Sequence, residues 1–272
     1  MDNSSQKQSI ARWFRRSYAG RIITALVLIA VIQLAVIWLN FLLPVQREHW
    51  VASKIEALGG QVEWQRRGPR WVYRLPYADN LQRITGITLG GEEVSAKVFQ
   101  PVPAELISEI AALNWLEFLY LTGPLVTDKQ ILRLKGLKRT LDDIPQSLDL
   151  QGTQLTDAGL EHLKGLTNLG SLNLSSTQIG DAGLIHLSGF SSLTDLALSN
   201  TKISDEGLKH LSGLSSLTEL ALFNIKVTDE GLKHLVGLVN LEKIDLDDTQ
   251  TTPEGRAMLR QALPRCLVIP EP

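Results

Sequence analysis

The sequence predicts an α/β fold, a solenoid of short strands and helices with one membrane-spanning helix before it. Three observations carry this prediction. Residues from 148 onward align in rows of 24, and apolar residues in each row first alternate, as along a strand with one buried face. The apolar residues then recur at a spacing of three, as on one side of a helix. Residues 22–43 contain no charged side chain.

Composition places the chain among folded proteins. Of its 272 residues 44% are hydrophobic and 21% charged, which is too apolar for a disordered chain. The formal net charge of −2 and the lack of interleaved basic and aromatic residues exclude nucleic acid as an expected partner. Cys266 is the single cysteine, so neither an internal disulfide nor a cysteine zinc site is expected. The most economical interpretation of Cys266 is a small buried apolar residue.

Residues 1–21 form the predicted basic N-terminus, and residues 22–43 the predicted transmembrane helix. At 1.5 Å per residue, an uncharged helix of this length covers the ~30 Å hydrocarbon core. Five cations precede it, whereas the fifteen residues after it hold only Arg47 and Lys54. The positive-inside bias therefore predicts a cytoplasmic N-terminus, with the rest of the chain outside the cytoplasmic membrane.

A cleaved signal peptide is the alternative interpretation of residues 22–43. Its apolar region would be 7–15 residues long and would precede a site of small residues. The sequence "FLLPVQ" follows here and offers no such site, which favours an uncleaved signal anchor.

Residues 44–83 are predicted to be a juxtamembrane helix and a hairpin. The helix is expected over residues 47–58, ending at Gly59 and Gly60. The hairpin is expected to pair "QVEWQ" (61–65) with "WVYRL" (71–75) around "RRGP" and to cover the N-terminal edge of the following sheet.

Each 24-residue row is predicted to be one strand, one turn and one short helix. The rows begin at Leu148, Leu172, Leu196, Leu220 and Ile244. In four rows an aspartate marks the helix start, and in three of them Thr156, Ser204 or Thr228 precedes it, which places an N-cap side chain and a negative charge there: Asp157, Asp181, Asp205 and Asp229. In the same rows a glycine is placed to end the helix: Gly165, Gly189, Gly213 and Gly237. One row buries too little apolar surface to fold alone, so stacking is required.

The rows "LNLSSTQIGDAGLIHLSGFSSL" and "LALSNTKISDEGLKHLSGLSSL" resemble the leucine-rich repeat family, whose pattern is L-x-L-x-x-N/C/T-x-L followed by a helix. They are most similar to the 24-residue bacterial version with Thr at the asparagine position. The resemblance covers about residues 119–267 and implies a right-handed β–α horseshoe with a parallel sheet on its concave face. It divides the chain into an N-terminal capping repeat (84–118), repeats (119–243), and a last strand with a C-terminal cap (244–272). The first row, 119–147, departs from the pattern by an apparent five-residue insertion.

Four histidines share position fifteen of the rows: His162, His186, His210 and His234. That position points away from the middle of the buried stripe, so solvent-exposed histidines inherited by duplication are expected. A zinc ladder and a pH-responsive contact are the alternatives. No further ligand motif supports the zinc ladder, and neither a metal nor a cofactor is expected.

The resemblance to leucine-rich repeat proteins implies that a partner would contact the concave face, as is usual in that family. Alternation assigns the outward strand positions to it, and ten of them are candidate partner-binding residues: Phe118, Tyr120, Asp149, Gln151, Asn173, Asp195, Glu219, Phe223, Asp245 and Asp247. Aromatic residues in a small, polar setting are candidate hot spots. A hydrated sheet face without a partner would have the same composition.

No phosphate-binding loop, nucleophile elbow or metal-protease motif occurs in the sequence. The sequence therefore predicts a non-enzymatic, membrane-anchored protein that binds a protein or peptide through the concave face. The alternative is a structural module of the cell envelope that self-associates as a homo-oligomer. A substrate adaptor with repeats behind an F-box is disfavoured, because a hydrophobic anchor occupies the N-terminal region.

Overall fold

A computed structural model of the chain describes residues 27–33, 35, 43–66, 82–89, 102–113, 116–138 and 146–270. Its centre is one nine-stranded sheet in which the strands follow chain order. The strands are β1 Gln61–Arg66, β2 Gln82–Leu89, β3 Phe118–Leu121, β4 Ser147–Asp149, β5 Ser171–Asn173, β6 Asp195–Ala197, β7 Glu219–Ala221, β8 Lys243–Asp245 and β9 Leu267–Ile269. The α-helices are α1 Leu43–Ala57, α2 Ala104–Ile110, α3 Asp128–Ile131, α4 Asp157–Glu161, α5 Asp181–Leu184, α6 Asp205–Leu208, α7 Asp229–Leu232 and α8 Pro253–Ala262.

Strands β2 to β9 are parallel, and β1 pairs antiparallel with β2 at one edge. From β4 to β8 the register advances by 24 residues per strand, so that Ser147, Ser171, Asp195, Glu219 and Lys243 lie in one line across the sheet. The predicted row of 24 residues is therefore the structural unit. Each row returns through a short α-helix, which three rows extend by a 3₁₀ turn such as Lys209–Leu211.

The recurring leucines of all rows form one continuous core. Leu148 and Leu150 from the strand segment, and Leu160 and Leu163 from the helical side, are fully buried, and the equivalent residues of the later rows are at most 2% exposed. The same cluster extends from Val51 in α1 to Val268 in β9. Stacked rows thus complete one another's burial, as the fold prediction requires.

The helix-start aspartates also make a contact between rows that the sequence does not predict. The N-cap of α6 is Ser204 and that of α7 is Thr228, so Asp205 is the first helical residue. Its carboxylate reaches into the next row, where Oδ1 accepts from the Thr228 backbone N–H at 2.8 Å and Oδ2 accepts from the Thr228 hydroxyl at 2.6 Å. Three other aspartates accept from the backbone N–H and hydroxyl of the next row's N-cap residue in the same way: Asp128, Asp181 and Asp229. Asp157 accepts only from the backbone N–H of Gly180, which has no hydroxyl.

Glycines in the first helical turn leave room for these carboxylates. A Cβ atom on Gly207 would lie 2.4 Å from Oδ1 of Asp181. The equivalent distance at Gly231 is 2.3 Å, measured to Oδ1 of Asp205. The D-x-G motif is therefore an inter-row contact: the aspartate of one row occupies the space beside the glycine of the next.

The glycines predicted to end the helices of the rows are not in the left-handed conformation, whereas Gly59, predicted to end the first helix, has a φ of +77°. In the rows, positive φ angles occur in the turn that follows each strand, at the fifth position: Gly152, Ser176, Asn200, Asn224 and Asp248. Asparagine, aspartate and glycine adopt this conformation most readily, so four of the five rows match the local requirement. The helices end earlier than predicted, and Gly213 only follows the 3₁₀ turn that ends at Leu211.

The described partner of β1 is the antiparallel strand Gln82–Leu89. The predicted partner, residues 71–75, lies outside the described residues, so that pairing stays a prediction. Ile87 and Leu89 lie opposite Leu119 and Leu121 and continue the buried columns of the repeats. β2 is thus both a hairpin strand and the first parallel strand, and the hairpin extends past the predicted boundary at residue 83.

Helix α1 packs on this hairpin and begins four residues before the predicted start. Val51 and Ile55 are fully buried in the common core. Glu48 is only 4% exposed, and its Oε2 accepts a hydrogen bond from the Ile84 backbone N–H at 2.8 Å. Arg47 forms an ion pair with Glu109 of α2 at 2.6 Å. The segment next to the predicted membrane helix is therefore joined to the repeats.

Most of the predicted transmembrane helix, and all of the predicted cytoplasmic residues 1–21, lie outside the described residues. Residues 27–33 are helical, and their apolar side chains are exposed, for example Val27 at 57% and Leu28 at 59%. Within the described ranges, no helix combines the length and the apolar character needed to cross a bilayer.

Candidate interaction face

The face of the sheet opposite the core, which we call the concave face, carries a groove that runs from β3 to β8. Six of the ten candidate residues line this groove: Tyr120, Asp149, Asn173, Asp195, Glu219 and Asp245. The groove floor is made of small side chains, among them Ser171, Ala197 and Ala221. All of these side chains are exposed or half-buried. Strand alternation therefore brought the expected residues together on one surface.

The other four candidate residues lie beside the groove. Gln151, Phe223 and Asp247 are in the turns after their strands. Phe118 packs against the sheet itself: a Cβ on Gly86 would lie 1.8 Å from its Cζ, so glycine there makes room for the ring. The Phe118 ring centroid is 5.3 Å from that of Tyr120. An aromatic pair thus closes the β3 end of the groove, with Tyr120 as its lining member.

Hydrogen bonds fix the polar side chains near the aromatic pair. Asp149 accepts from the Gln151 backbone N–H at 2.8 Å, and its other oxygen accepts from the Asn173 amide at 3.2 Å. The Asn173 amide also donates to Gln151 Oε1 at 3.2 Å. At the far end, Asp245 accepts from the Asp247 backbone N–H at 3.0 Å. Because these carboxylates are already oriented, a partner that binds them pays less ordering entropy.

Negative charge dominates the remaining part of the groove. Asp195 and Glu219 lie directly opposite each other on adjacent strands, and Glu219 lies opposite Lys243. Asp195 accepts from the Thr194 hydroxyl at 2.5 Å. Among the described residues, no lysine or arginine comes within 4 Å of either carboxylate. Like charges at facing positions destabilise a sheet. Lys243 faces Glu219, but Asp195 faces only Ser171 and Glu219, so a cation beside Asp195 would relieve the repulsion.

One residue of this surface was not predicted. Leu267 in β9 is 45% exposed and lies opposite Lys243. The alternation of Leu267, Val268 and Ile269 around the buried Val268 is the signal that assigns Leu267 to the concave face.

The histidine column lies on the helical side, away from the groove. His234 is exposed, while His162, His186 and His210 are half-buried, so the solvent-facing prediction fits His234 best. In the described part of the chain, no three His, Cys, Asp or Glu residues are grouped in a way that could hold a metal ion. Burial raises the pKa of the Cys266 thiol to about 11, which keeps this sulfur protonated and weakly nucleophilic.

Residues 146–164, 165–188 and 191–212 match the sequence model of the family described as Leucine Rich repeat. These three segments coincide with successive structural rows. The chain therefore contains leucine-rich repeats stacked as a solenoid, as its sequence pattern predicts.

Two solved structures from Listeria monocytogenes are among those similar to this chain. For an internalin (inlF), the identity is 23% and the TM-score 0.48, with 59% of this chain and 49% of that chain covered. For an internalin C2 (inlC2), the identity is 22% and the TM-score 0.37, with 64% of this chain and 86% of that chain covered. The chain thus spans about half the length of the first structure. A search of curated proteins found no match.

Proposed function

We propose that this leucine-rich repeat chain is a membrane-anchored, non-enzymatic protein that binds a protein or peptide through its concave face. The observation that carries the proposal is the groove, which brings six of the ten candidate side chains to one surface of the sheet. The groove is open, is lined by acidic, small polar and apolar side chains, and has one aromatic end, which suits an extended segment of a partner better than an enclosed small molecule.

The membrane part of the proposal is supported by the N-terminal sequence. Residues 22–43 are uncharged and follow five cations, and the helical residues 27–33 expose apolar side chains. We propose that this segment anchors the chain, with residues 1–21 in the cytoplasm and the repeats outside the cytoplasmic membrane.

Labelling of single cysteines in intact cells tests this orientation. Cys266 is 8% exposed and its thiol stays protonated, so an added cysteine dominates the reaction with a membrane-impermeant maleimide. Ser212→Cys, on an exposed position of the repeats, is expected to react in intact cells, whereas Ser5→Cys reacts only after lysis. Labelling of Ser5→Cys alone in intact cells would reverse the orientation.

Photo-cross-linking in native membranes tests the interaction face. A photoreactive residue is placed at Ala221 or Ser171 in the groove, and at the exposed Lys209 or Lys233 on the helical side as a matched control. We expect adducts with a second protein from the groove positions and none from the control positions. Adducts formed only from the helical side would overturn the proposed face.

The same experiment distinguishes the structural alternative. A self-associating module of the cell envelope would give adducts with twice the mass of the chain. A partner-binding protein would give adducts of a different mass that contain peptides of another protein.

A further inference from the structure

We infer that the partner of the concave face is an extended basic segment that places a lysine or arginine at about every third residue. The inference rests on the proposed function and specifies the chemistry of the partner.

Charge is distributed unevenly between the concave face and the rest of the chain. The eighteen outward positions of β3–β8 and their turns hold five acids and one base: Asp149, Asp195, Glu219, Asp245, Asp247 and Lys243. Residues 22–272, the part proposed to lie outside the cytoplasm, hold 28 acids and 22 bases, so 23 acids and 21 bases remain elsewhere in that part. The excess of negative charge is therefore densest on this one face, where it attracts a cationic partner and repels polynucleotides and acidic proteins.

The helical side does not share this imbalance. Its lysines pair with glutamates three residues earlier in the same helix, as Lys164 with Glu161 at 3.0 Å and Lys233 with Glu230 at 2.6 Å. Lys209 pairs with Glu206 in the same way. The groove carboxylates have no such ion pair among the described residues, so they can attract an incoming cation.

Tyr120 strengthens the same preference at the β3 end. Its backbone lies directly opposite Asp149 on the adjacent strand, and both side chains line the groove. A guanidinium or ammonium group on the Asp149 carboxylate would lie close to the Tyr120 ring, where a cation–π contact adds to the ion pair. Aromatic and acidic groups at facing positions favour a cation over an apolar or anionic side chain.

Strand spacing sets the spacing of the basic residues. Asp149, Asp195 and Asp245 belong to β4, β6 and β8, every second strand of the sheet, and Asp195 lies two residues earlier in its strand than the other two. Neighbouring strands are about 4.8 Å apart and two strand residues cover about 6.6 Å, so successive carboxylates form a zigzag with steps of roughly 12 Å. Three residues of an extended chain cover about 10 Å, and the long side chains of lysine and arginine span the difference. A segment that crosses the strands can thus bring one cation to each aspartate, while small side chains such as Ala197 and Ala221 leave room for its backbone.

Fluorescence anisotropy with the full chain in detergent micelles tests this. The probes are labelled ten-residue peptides of glycine and serine, with arginines at positions two, five and eight, with three adjacent arginines, or with glutamates at positions two, five and eight. We expect the spaced arginine peptide to bind most tightly, and its affinity to fall as salt rises. Equal or tighter binding of the glutamate peptide would overturn the inference. Equal binding of the adjacent arginines would overturn the three-residue spacing.

Matched variants locate the binding. We expect the affinity for the spaced arginine peptide to fall at least tenfold in the triple variant Asp149→Asn, Asp195→Asn and Glu219→Gln. Glu206→Gln, Glu230→Gln and Glu254→Gln together remove the same charge from exposed helical positions and are expected to change the affinity less than twofold. Equal weakening by both triple variants would show general attraction and overturn the inference. Glu219 is exposed, and its side chain forms no hydrogen bond with a described residue, so Glu219→Gln is expected to leave the fold intact. Glu219→Gln alone is also expected to weaken binding of the spaced arginine peptide.

Cross-linking separates failure of this inference from failure of the proposed function. If groove positions still capture a partner when the three concave acids are neutralised, the concave face binds protein and the cation preference is wrong. If the groove positions capture none in the unmodified chain either, the proposed function fails as well.

Discussion

Individual rows are joined by contacts between single polar atoms. The carboxylate of Asp205 satisfies the N–H and hydroxyl of Thr228 in the next row and fills the space beside Gly231. Charge-assisted hydrogen bonds of this kind are stronger than neutral ones. The aspartate and the glycine therefore have to be understood together, although they belong to different rows.

The glycine requirement can be tested with two substitutions in one row. Gly207→Ala places a Cβ 2.4 Å from the Asp181 carboxylate oxygen, so we expect it to lower the free energy of unfolding by about 1–3 kcal/mol. Gly213→Ala meets no atom within 4 Å and is expected to be neutral or slightly stabilising. Urea denaturation followed by circular dichroism measures both. Equal destabilisation by the two variants would contradict the inter-row contact.

The last of the inter-row contacts, between Asp229 and Thr252, makes the stability of the fold sensitive to acid. The Thr252 hydroxyl and backbone N–H donate to Asp229 and lower the pKa of its carboxyl. A carboxyl with a lowered folded-state pKa stabilises the fold above its unfolded value of about 3.9, and this contribution is lost as pH falls through the folded pKa. Asp229→Asn should therefore reduce the loss of stability below about pH 4.

Urea midpoints measured from pH 7 downward check this effect. Asp248→Asn, which removes a carboxylate that is not hydrogen-bonded to another described residue, is the control. If the stability of Asp229→Asn fell more steeply at low pH than that of the unmodified chain, the expected direction of the effect would be contradicted.

At the scale of elements, the ends of the sheet are closed differently. β1 covers one edge as an antiparallel strand. At the other edge, Arg260 of α8 donates to the carbonyls of Val268 at 3.0 Å and Pro270 at 2.6 Å. The guanidinium thus holds the last strand to its cap helix.

Arg260→Met keeps most of the side-chain volume and removes both donors. We expect a loss of about 1–3 kcal/mol in unfolding free energy and faster amide exchange in β9, because hydrogen bonds to charged groups are worth this much. Arg265→Met is the control, since Arg265 is exposed and forms no hydrogen bond with a described residue. Unchanged exchange in Arg260→Met would show that the strand is held by packing alone.

The elements that the sequence predicts best are those with a strong period. The strands of the rows were predicted because a buried leucine lies between two outward residues in each. The pairing of β1 with 82–89 was not predicted, because residues 71–75 alternate as well as 82–89 do, and local pattern cannot decide which strand continues the core. The additional role of the aspartates, the contact between rows, could not be predicted from local sequence because the hydrogen-bond partner lies 23 residues away.

At the scale of the whole molecule, the core has to be closed at its end. Leu259, Leu263, Cys266 and Val268 cover the last row. A chain that ends at residue 250 lacks them and exposes Ile244 and Leu246, so we expect it to aggregate. A chain that ends at residue 270 keeps the cap and is expected to remain dispersed in detergent. Size-exclusion chromatography compares the two, and equal dispersion would show that the cap is dispensable.

The interaction face could be predicted only in outline. Alternation was enough to assign side chains such as Asp195 and Glu219 to the concave face. It could not show that Phe118 lies on Gly86, because that contact joins β2 and β3, which are connected by residues without the repeat pattern. Nor could it show which carboxylates are held in place, since these hydrogen bonds depend on exact neighbours such as Asn173.

The uniform 24-residue advance from β4 to β8 has an evolutionary consequence. Each row receives a carboxylate from the one before and offers one to the one after, so a gene duplication of one complete unit inserts without a new junction having to evolve. The length of the binding surface could then change in steps of one strand width while its chemistry was revised separately. Duplications out of phase by a few codons would break both the leucine columns and the polar links, and selection would remove them.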